Sequence, residues 1–309
     1  MRSCCIYYWD NGVGVKVDVQ LIYECLIKQL NCDIFDFSYL NGDTEGYFSL
    51  YPNKKYDIGI FNQNFSVDLL HNNKINIYIC NEEWLGLPDI ENLQYFDYII
   101  VKNNYAKELL KDLHKNIICL YFWSRDLYNS NYNNITDNKL LHFAGKSIQK
   151  NTECILNNED IYIFDSTGRY SEVRSINYIS SFISDIKLKH IFNTCNTHIC
   201  PSLYEAHGHY MYEALLCNKN IIASKIPVWE EQIDPDYINF VDTSLSDDES
   251  YEFVDKDNKH KFPYRKSFFV NQNDLDKNLY NTNNKPPRKF IEDLFIKNQK
   301  GFFDFFKSI

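Results

Sequence analysis

Short apolar runs alternate with stretches of helical spacing from residue 4 to residue 122. "CCIYYW" (4–9), "CDIFDF" (32–37), "YDIGIF" (56–61), "KINIYIC" (74–80), "FDYIIV" (96–101) and "KNIICLYF" (115–122) each have strand length and strand composition. "VDVQLIYECLIKQL" (17–30) and "NNYAKELLKDL" (103–113) carry apolar residues at helical intervals between them. Strands that alternate with helices predict βαβ units and a mostly parallel sheet. The pattern stops in the polar stretch "SRDLYNSNYNNITDNK" (124–139), which reads as a domain boundary. It restarts with "LLHFAG" (140–145), a helix expected over 150–157, "IYIFDS" (161–166), a helix near 185–195, "THIC" (197–200), a helix after Gly208, "NIIAS" (220–224) and "INFVD" (238–242). Residues 243–285 show little periodicity, and 286–309 read as a terminal amphipathic helix opened by Pro286 and Pro287.

The bulk properties narrow the function classes. The 309 residues suit about two domains. A net charge of −10 with no basic block argues against a nucleic-acid binder. The ten cysteines include no C-x-x-C, and Cys4, Cys5, Cys80, Cys119 and Cys200 lie in or beside apolar runs, where a thiol behaves as a small hydrophobe. A reducing, cytoplasmic setting is the expectation. No run approaches the length of a membrane span, and peripheral contact with a membrane stays open.

Ligands of open parallel sheets bind outside the carboxyl ends of the strands. In "CPSLYEAHGHYMYEALLCNKNIIASKIPVWEE" (200–231), Glu205 and Glu213 flank Gly208 where a strand ends and a helix begins. The first helical amides lack intrahelical partners and suit a phosphate, and a carboxylate can accept from a vicinal diol. The plainer reading is a helix start carrying Glu for its dipole. Gly12 and Gly14 follow the first strand in "YYWDNGVGVKVDVQ", as a phosphate-facing loop or an ordinary tight turn. Val17 stands where a dinucleotide fingerprint needs its third glycine. Asn62 and Gln63, and Glu82, Glu83 and Trp84, follow the third and fourth strands. His207, His209 and Cys200 match no common closed metal site.

The 200–231 segment resembles the E-x7-E segment of retaining glycosyltransferases built from two facing Rossmann domains, the GT-B fold of the family 4 type. Pro201, Ser202, Tyr204, Glu205, Gly208, Glu213, Ala214, Ile222, Ala223, Ser224 and Pro227 stand in the family's order. Ala206 and "CNKN" (217–220) stand where the family usually has glycine and a Gly-x-Pro turn. "LLHFAGKSIQKNTECIL" (140–156) resembles the start of the family's C-terminal domain, with Lys146 where Arg is commoner.

The resemblance implies an α/β chain of two Rossmann-like domains facing across a cleft. They are an acceptor domain over 1–137 and a nucleotide-sugar domain over 138–285, with a helix over 286–309 crossing back to the first. It implies a hexosyltransferase-type enzyme using a UDP-, GDP- or other nucleoside-diphosphate sugar. The acceptor would be a hydroxyl of a glycan, glycolipid or protein-linked sugar, and neither a metal nor another cofactor would be needed. Glu205, Lys146 and Lys150 would be the catalytic set. Gly12, Gly14, Gly145, Ser166, Thr167, Arg169, Ala206, His207, Gly208, His209, Tyr210, Met211 and Glu213 would face the donor, with Glu213 on the ribose and the lysines on the diphosphate. Asn62, Gln63, Glu82, Glu83 and Trp84 would face the acceptor. An epimerase or hydrolase of sugar nucleotides, or a non-catalytic binding protein, remains an alternative on the same fold.

Overall fold

The computed structural model describes residues 1–10, 13–40, 54–132, 137–144, 148–165, 168–170, 184–246, 253–255, 258–260, 262–281 and 284–309. The chain divides into two compact units. One comprises Met1–Trp123, Ser250–Arg265 and Ile296–Ile309, and the other Ser124–Glu249 and Lys266–Phe295.

Six strands form the sheet of the first unit: β1 (Ser3–Tyr8), β2 (Asn31–Asp36), β3 (Tyr56–Asn62), β4 (Asn73–Cys80), β5 (Tyr98–Val101) and β6 (Ile117–Cys119). All pair parallel, in the order β2-β1-β3-β4-β5-β6. The buried stretches of the central strands, Ile58–Phe61 of β3 and Ile77–Cys80 of β4, are apolar because both faces are covered. One face is aromatic, with Tyr7 stacked on Phe61 at 4.6 Å between centroids and Phe96 edge-on to Phe61 and Phe65. Helix Val13–Leu26 packs Ile22 and Leu26 out of solvent. It begins earlier than the apolar spacing alone indicates, so Gly14 lies in its first turn.

The second unit repeats the plan with β7 (Asp137–Phe143), β8 (Ile161–Phe164), β9 (Cys195–Cys200), β10 (Asn220–Ser224) and β11 (Asn239–Val241), all parallel, in the order β11-β10-β9-β7-β8. In each sheet the first strand lies between the second and the third. Both units therefore have a switch point there, between β1 and β3 and between β7 and β9. The helix expected over 150–157 is instead two 3-10 turns, Ile148–Lys150 and Thr152–Ile155. Asn151 between them takes a left-handed φ of 51°, which no continuous helix accommodates. Residues 243–285, poor in periodicity, supply two short antiparallel pairs and helix Gln272–Asn278.

The terminal helix Arg288–Ser308 starts in the second unit, where Arg288 is paired to Asp126, and its turns from Ile296 onward belong to the first. There Phe302 and Phe306 are fully buried, Phe302 meets Phe122 and Trp123 edge-on, and Asn298 Nδ2 donates to the Phe122 carbonyl at 2.8 Å. This is the crossing-back helix that the resemblance implies.

The first unit also buries an ion pair. Lys102 Nζ lies 2.6 Å from Asp18 Oδ2, both side chains almost wholly out of water, and the ammonium sits 4.5 Å above the Phe122 ring. Removing one partner strands the other charge. Lys102→Met is expected to cost about 3–5 kcal/mol in denaturant unfolding, and the double variant Asp18→Asn, Lys102→Met is expected to regain most of it. A single variant as stable as the wild type contradicts this.

Candidate functional site

The switch point of the second sheet collects the chemically loaded residues of that unit. His142, near the end of β7, is fully buried and hydrogen-bonds across to β9. Its Nδ1 lies 3.0 Å from the Ile199 carbonyl and its Nε2 2.9 Å from Thr152 Oγ1. A carbonyl only accepts, so Nδ1 carries the proton and Nε2 accepts from the threonine. Burial lowers the imidazole to about 4, so it stays neutral near pH 7 and acts as a brace. Burial likewise takes His198, one strand over, down to about 3.

Past β9 the chain turns through Pro201–Gly208 into helix His209–Leu216. Gly208 takes a left-handed φ of 84°, and a Cβ there would come within 2.9 Å of the Trp229 indole. Both the backbone and the close ring require glycine at this position. The Trp229 Nε1–H donates to the His207 carbonyl at 2.9 Å, which fixes the bend from the other side.

Glu205 lies buried in this turn and is surrounded by donors. Lys150 Nζ and Ser202 Oγ both donate to its Oε1, the latter at 2.7 Å, and Gln149 Nε2 donates to Oε2 at 3.2 Å. The Lys150 ammonium also stands 4.0 Å over the Tyr210 ring, whose hydroxyl shares a 2.7 Å hydrogen bond with Ser202. Burial pushes the Tyr210 phenol well up. Ion pair, hydroxyl and ring thus form one network beside the start of the helix.

Glu213 sits one turn further along, buried, and its Oε1 accepts from Arg125 Nε at 2.8 Å. Ser124 Oγ lies 3.0 Å from His207 Nε2 and 2.8 Å from His209 Nδ1, and the His207 ring stacks on Tyr212 at 4.5 Å. Ala206 and Met211 are buried, Met211 completely. At the end of β8, Asp165 is fully buried and its Oδ2 accepts from the Tyr170 amide at 3.4 Å. Gly168 has a φ of 71°, and Arg169 is exposed. Gly12, Gly145, Lys146, Ser166 and Thr167 lie outside the described residues.

In the first unit, the loops after β3 and β4 hold the other candidates. Asn62 is 1% exposed, and neither its amide oxygen nor its nitrogen finds a hydrogen-bond partner. Gln63 adopts a φ of 66°, unusual for a residue with a side chain. Its carbonyl accepts from the Tyr78 hydroxyl at 2.9 Å and its Oε1 from Asn81 Nδ2 at 3.2 Å. Glu82 and Glu83 are both buried in the turn Glu82–Trp84, and burial, with Glu83 adding to it, drives Glu82 well above the usual carboxylate range. The Arg265 guanidinium lies 4.4 Å from the Trp84 ring and 4.2 Å from the Phe262 ring, and its Nε donates to the Glu83 carbonyl at 2.9 Å.

Sequence reasoning missed Arg125, Gln149, Ser124 and Arg265. Gln149 is next to Lys150 and could have been found by position. Arg125 stands alone in a polar stretch, and nothing in the spacing points to a partner 88 residues away.

No family model matches the chain, and no curated protein matches it by sequence. Solved structures do match. Sucrose-phosphate synthase from Thermosynechococcus elongatus is similar with a TM-score of 0.66 at 12% identity, over 99% of this chain and 99% of that one. HepE of Anabaena, in complex with UDP and glucose, gives 0.65 at 11% identity over 99% and 100% of the two chains. Trehalose-6-phosphate synthase gives 0.61 at 11% identity over 98% of each. The fold is GT-B. The GT-B likeness covers both parallel-sheet units, and at these identities it is a likeness of fold alone.

Two outcomes test the geometry of this region. Gly208→Ala is expected to destabilise the protein by about 1–3 kcal/mol through backbone strain and to alter Trp229 fluorescence. Both histidines are held below the ordinary value of about 6.5, so the unfolded chain takes up protons first as the pH falls. The stability they carry is complete above pH 6.5. Between pH 6.5 and 4 it is lost at about 1.4 kcal/mol per pH unit for each histidine. His142→Gln is expected to make that slope shallower in urea titrations at successive pH values; an unchanged slope contradicts the assignment.

Proposed function

We propose that the protein is a retaining glycosyltransferase that moves a sugar from a nucleoside-diphosphate sugar to an acceptor hydroxyl. The observation that carries this reading is the pair of Lys150 with the buried Glu205, with its Ser202 and Gln149 donors, at the second switch point of a GT-B fold. HepE binds UDP and UDP-glucose, and glycosyltransfer with retention is described for trehalose-6-phosphate synthase. Both support the proposal, and they make UDP the nucleotide to test first.

The donor pyrophosphate would lie at the start of helix His209–Leu216, where the helix dipole favours an anion. Lys150 would then turn from Glu205 to the pyrophosphate, the role the resemblance also gives Lys146. Glu205, relieved of its cation, would accept from hydroxyls of the transferred sugar. Its remaining donors, Ser202 and Gln149, keep the carboxylate aimed. Glu213 would hold the ribose diol with one oxygen while Arg125 keeps the other.

The bond between the anomeric carbon and the phosphate oxygen breaks as negative charge grows on the leaving diphosphate. The acceptor oxygen bonds to that carbon on the same face and passes its proton to the departing phosphate oxygen. Preorganised cations and amides at the growing charge are each worth about 10²–10³ in rate. The ammonium groups would supply the positive charge, so no metal is needed. The acceptor would sit at the loops after β3 and β4 of the first unit, where Asn62 offers an unsatisfied amide.

All ten cysteines are free, in keeping with a cytoplasmic setting. No described helix is long and apolar enough to cross a membrane, and peripheral contact remains part of the proposal where the acceptor is a glycolipid.

A thermal-shift series with UDP, GDP, ADP and their sugars is expected to show stabilisation by one of them, unchanged by EDTA. Glu213→Gln keeps the side-chain volume and is expected to lose most of that shift with the apo midpoint near wild type. Lys150→Ala is expected to lower kcat by at least 10²-fold. NMR of the product from an acceptor screen should show the donor's anomeric configuration. Binding without turnover on every acceptor would point to a non-catalytic protein, and release of an epimer to an isomerase.

A further inference from the structure

Cys4 and Cys32 stand opposite each other on neighbouring strands. β1 and β2 pair parallel with Cys4 in register with Cys32, so both side chains leave the sheet on the same face. Neighbouring strands lie about 4.8 Å apart, inside the range of Cα separations, roughly 4.4–6.8 Å, that a disulfide spans. No other described strand pairing sets cysteine against cysteine. Cys5 is no competitor, because it faces the aromatic core on the other side and pairs with Asp33.

The two thiols differ in access. Cys4 is fully buried, whereas Cys32 lies on the edge strand and is partly exposed. The neighbouring Cys4 lowers the Cys32 thiol, while Cys32 and burial raise Cys4. An accessible thiol of greater acidity beside a sheltered one is the arrangement of an attacking and a resolving cysteine.

We propose that Cys4 and Cys32 form a reversible disulfide when the protein meets a hydroperoxide. The Cys32 thiolate attacks the peroxide oxygen, the O–O bond breaks, and Cys32 becomes a sulfenic acid as water or an alcohol leaves. The Cys4 sulfur then attacks the Cys32 sulfur, the S–O bond breaks, and a second water carries off the hydroxyl with the Cys4 proton. Two thiols are oxidised and one peroxide is reduced. The link closes the β1–helix–β2 unit that carries Gly14, tying the edge strand to its neighbour and restricting the unfolded chain.

The test is peptide mapping of the full-length reduced protein after brief treatment with a few equivalents of hydrogen peroxide. Remaining thiols are alkylated in denaturant and the digest is analysed without reductant. The expected product joins the Cys4 and Cys32 peptides, two hydrogens lighter than their sum, and separates on adding dithiothreitol. Its formation should raise the melting temperature. In Cys4→Ser, Cys32 should instead be trapped by dimedone as sulfenic acid. The proposal is overturned if wild-type Cys4 remains fully alkylated while other thiols oxidise. It is equally overturned if Cys32 pairs with a different cysteine or with a second chain.

Discussion

A parallel sheet ends all its strands on one edge, and in each unit of this protein that edge is where polar groups can be gathered without breaking the core. The buried stretches of the strands are mostly apolar, and a polar side chain that enters them, such as His142 of β7, is held by hydrogen bonds. The switch points between β1 and β3 and between β7 and β9 open a crevice in each sheet, because the connections leave in opposite directions there. At the second of these, Gly208 lets the chain bend against Trp229, and the bend delivers Glu205 to Lys150.

The buried carboxylates of the two units are handled differently. Glu205 is met by an ammonium, a hydroxyl and an amide, and Glu213 by a guanidinium. Those donors compensate for lost water and leave each carboxylate in a defined orientation, suited to gripping hydroxyl groups. Glu82 lies beside Glu83, and burial, with Glu83 adding to it, raises it well above the usual carboxylate range. The same desolvation lowers His142 and His198, because it penalises whichever form is charged.

Much of this was legible in the chain. The strands fall where short apolar runs stand, since the covered middle of a parallel strand is mostly apolar. The turn around Gly208 was marked by a glycine between a strand-like and a helix-like run, and the flanking glutamates drew attention to it. Local pattern could not show the left-handed Asn151, which splits an otherwise helical stretch into two 3-10 turns. Nor could it show Arg125 reaching Glu213, or Arg265 lying against Trp84. These are contacts between residues far apart in sequence, and their partners carry no periodic signal. The polar composition of 124–139 looked like a connector, yet it holds two side chains that touch helix His209–Leu216.

A crystal structure of the protein with an intact nucleoside-diphosphate sugar bears most directly on the reading of the second unit. The expected result has the pyrophosphate within hydrogen-bond distance of Lys150 Nζ and of the amides that open helix His209–Leu216, with sugar hydroxyls on Glu205. A ligand bound elsewhere, with Lys150 still engaged to Glu205, would contradict it.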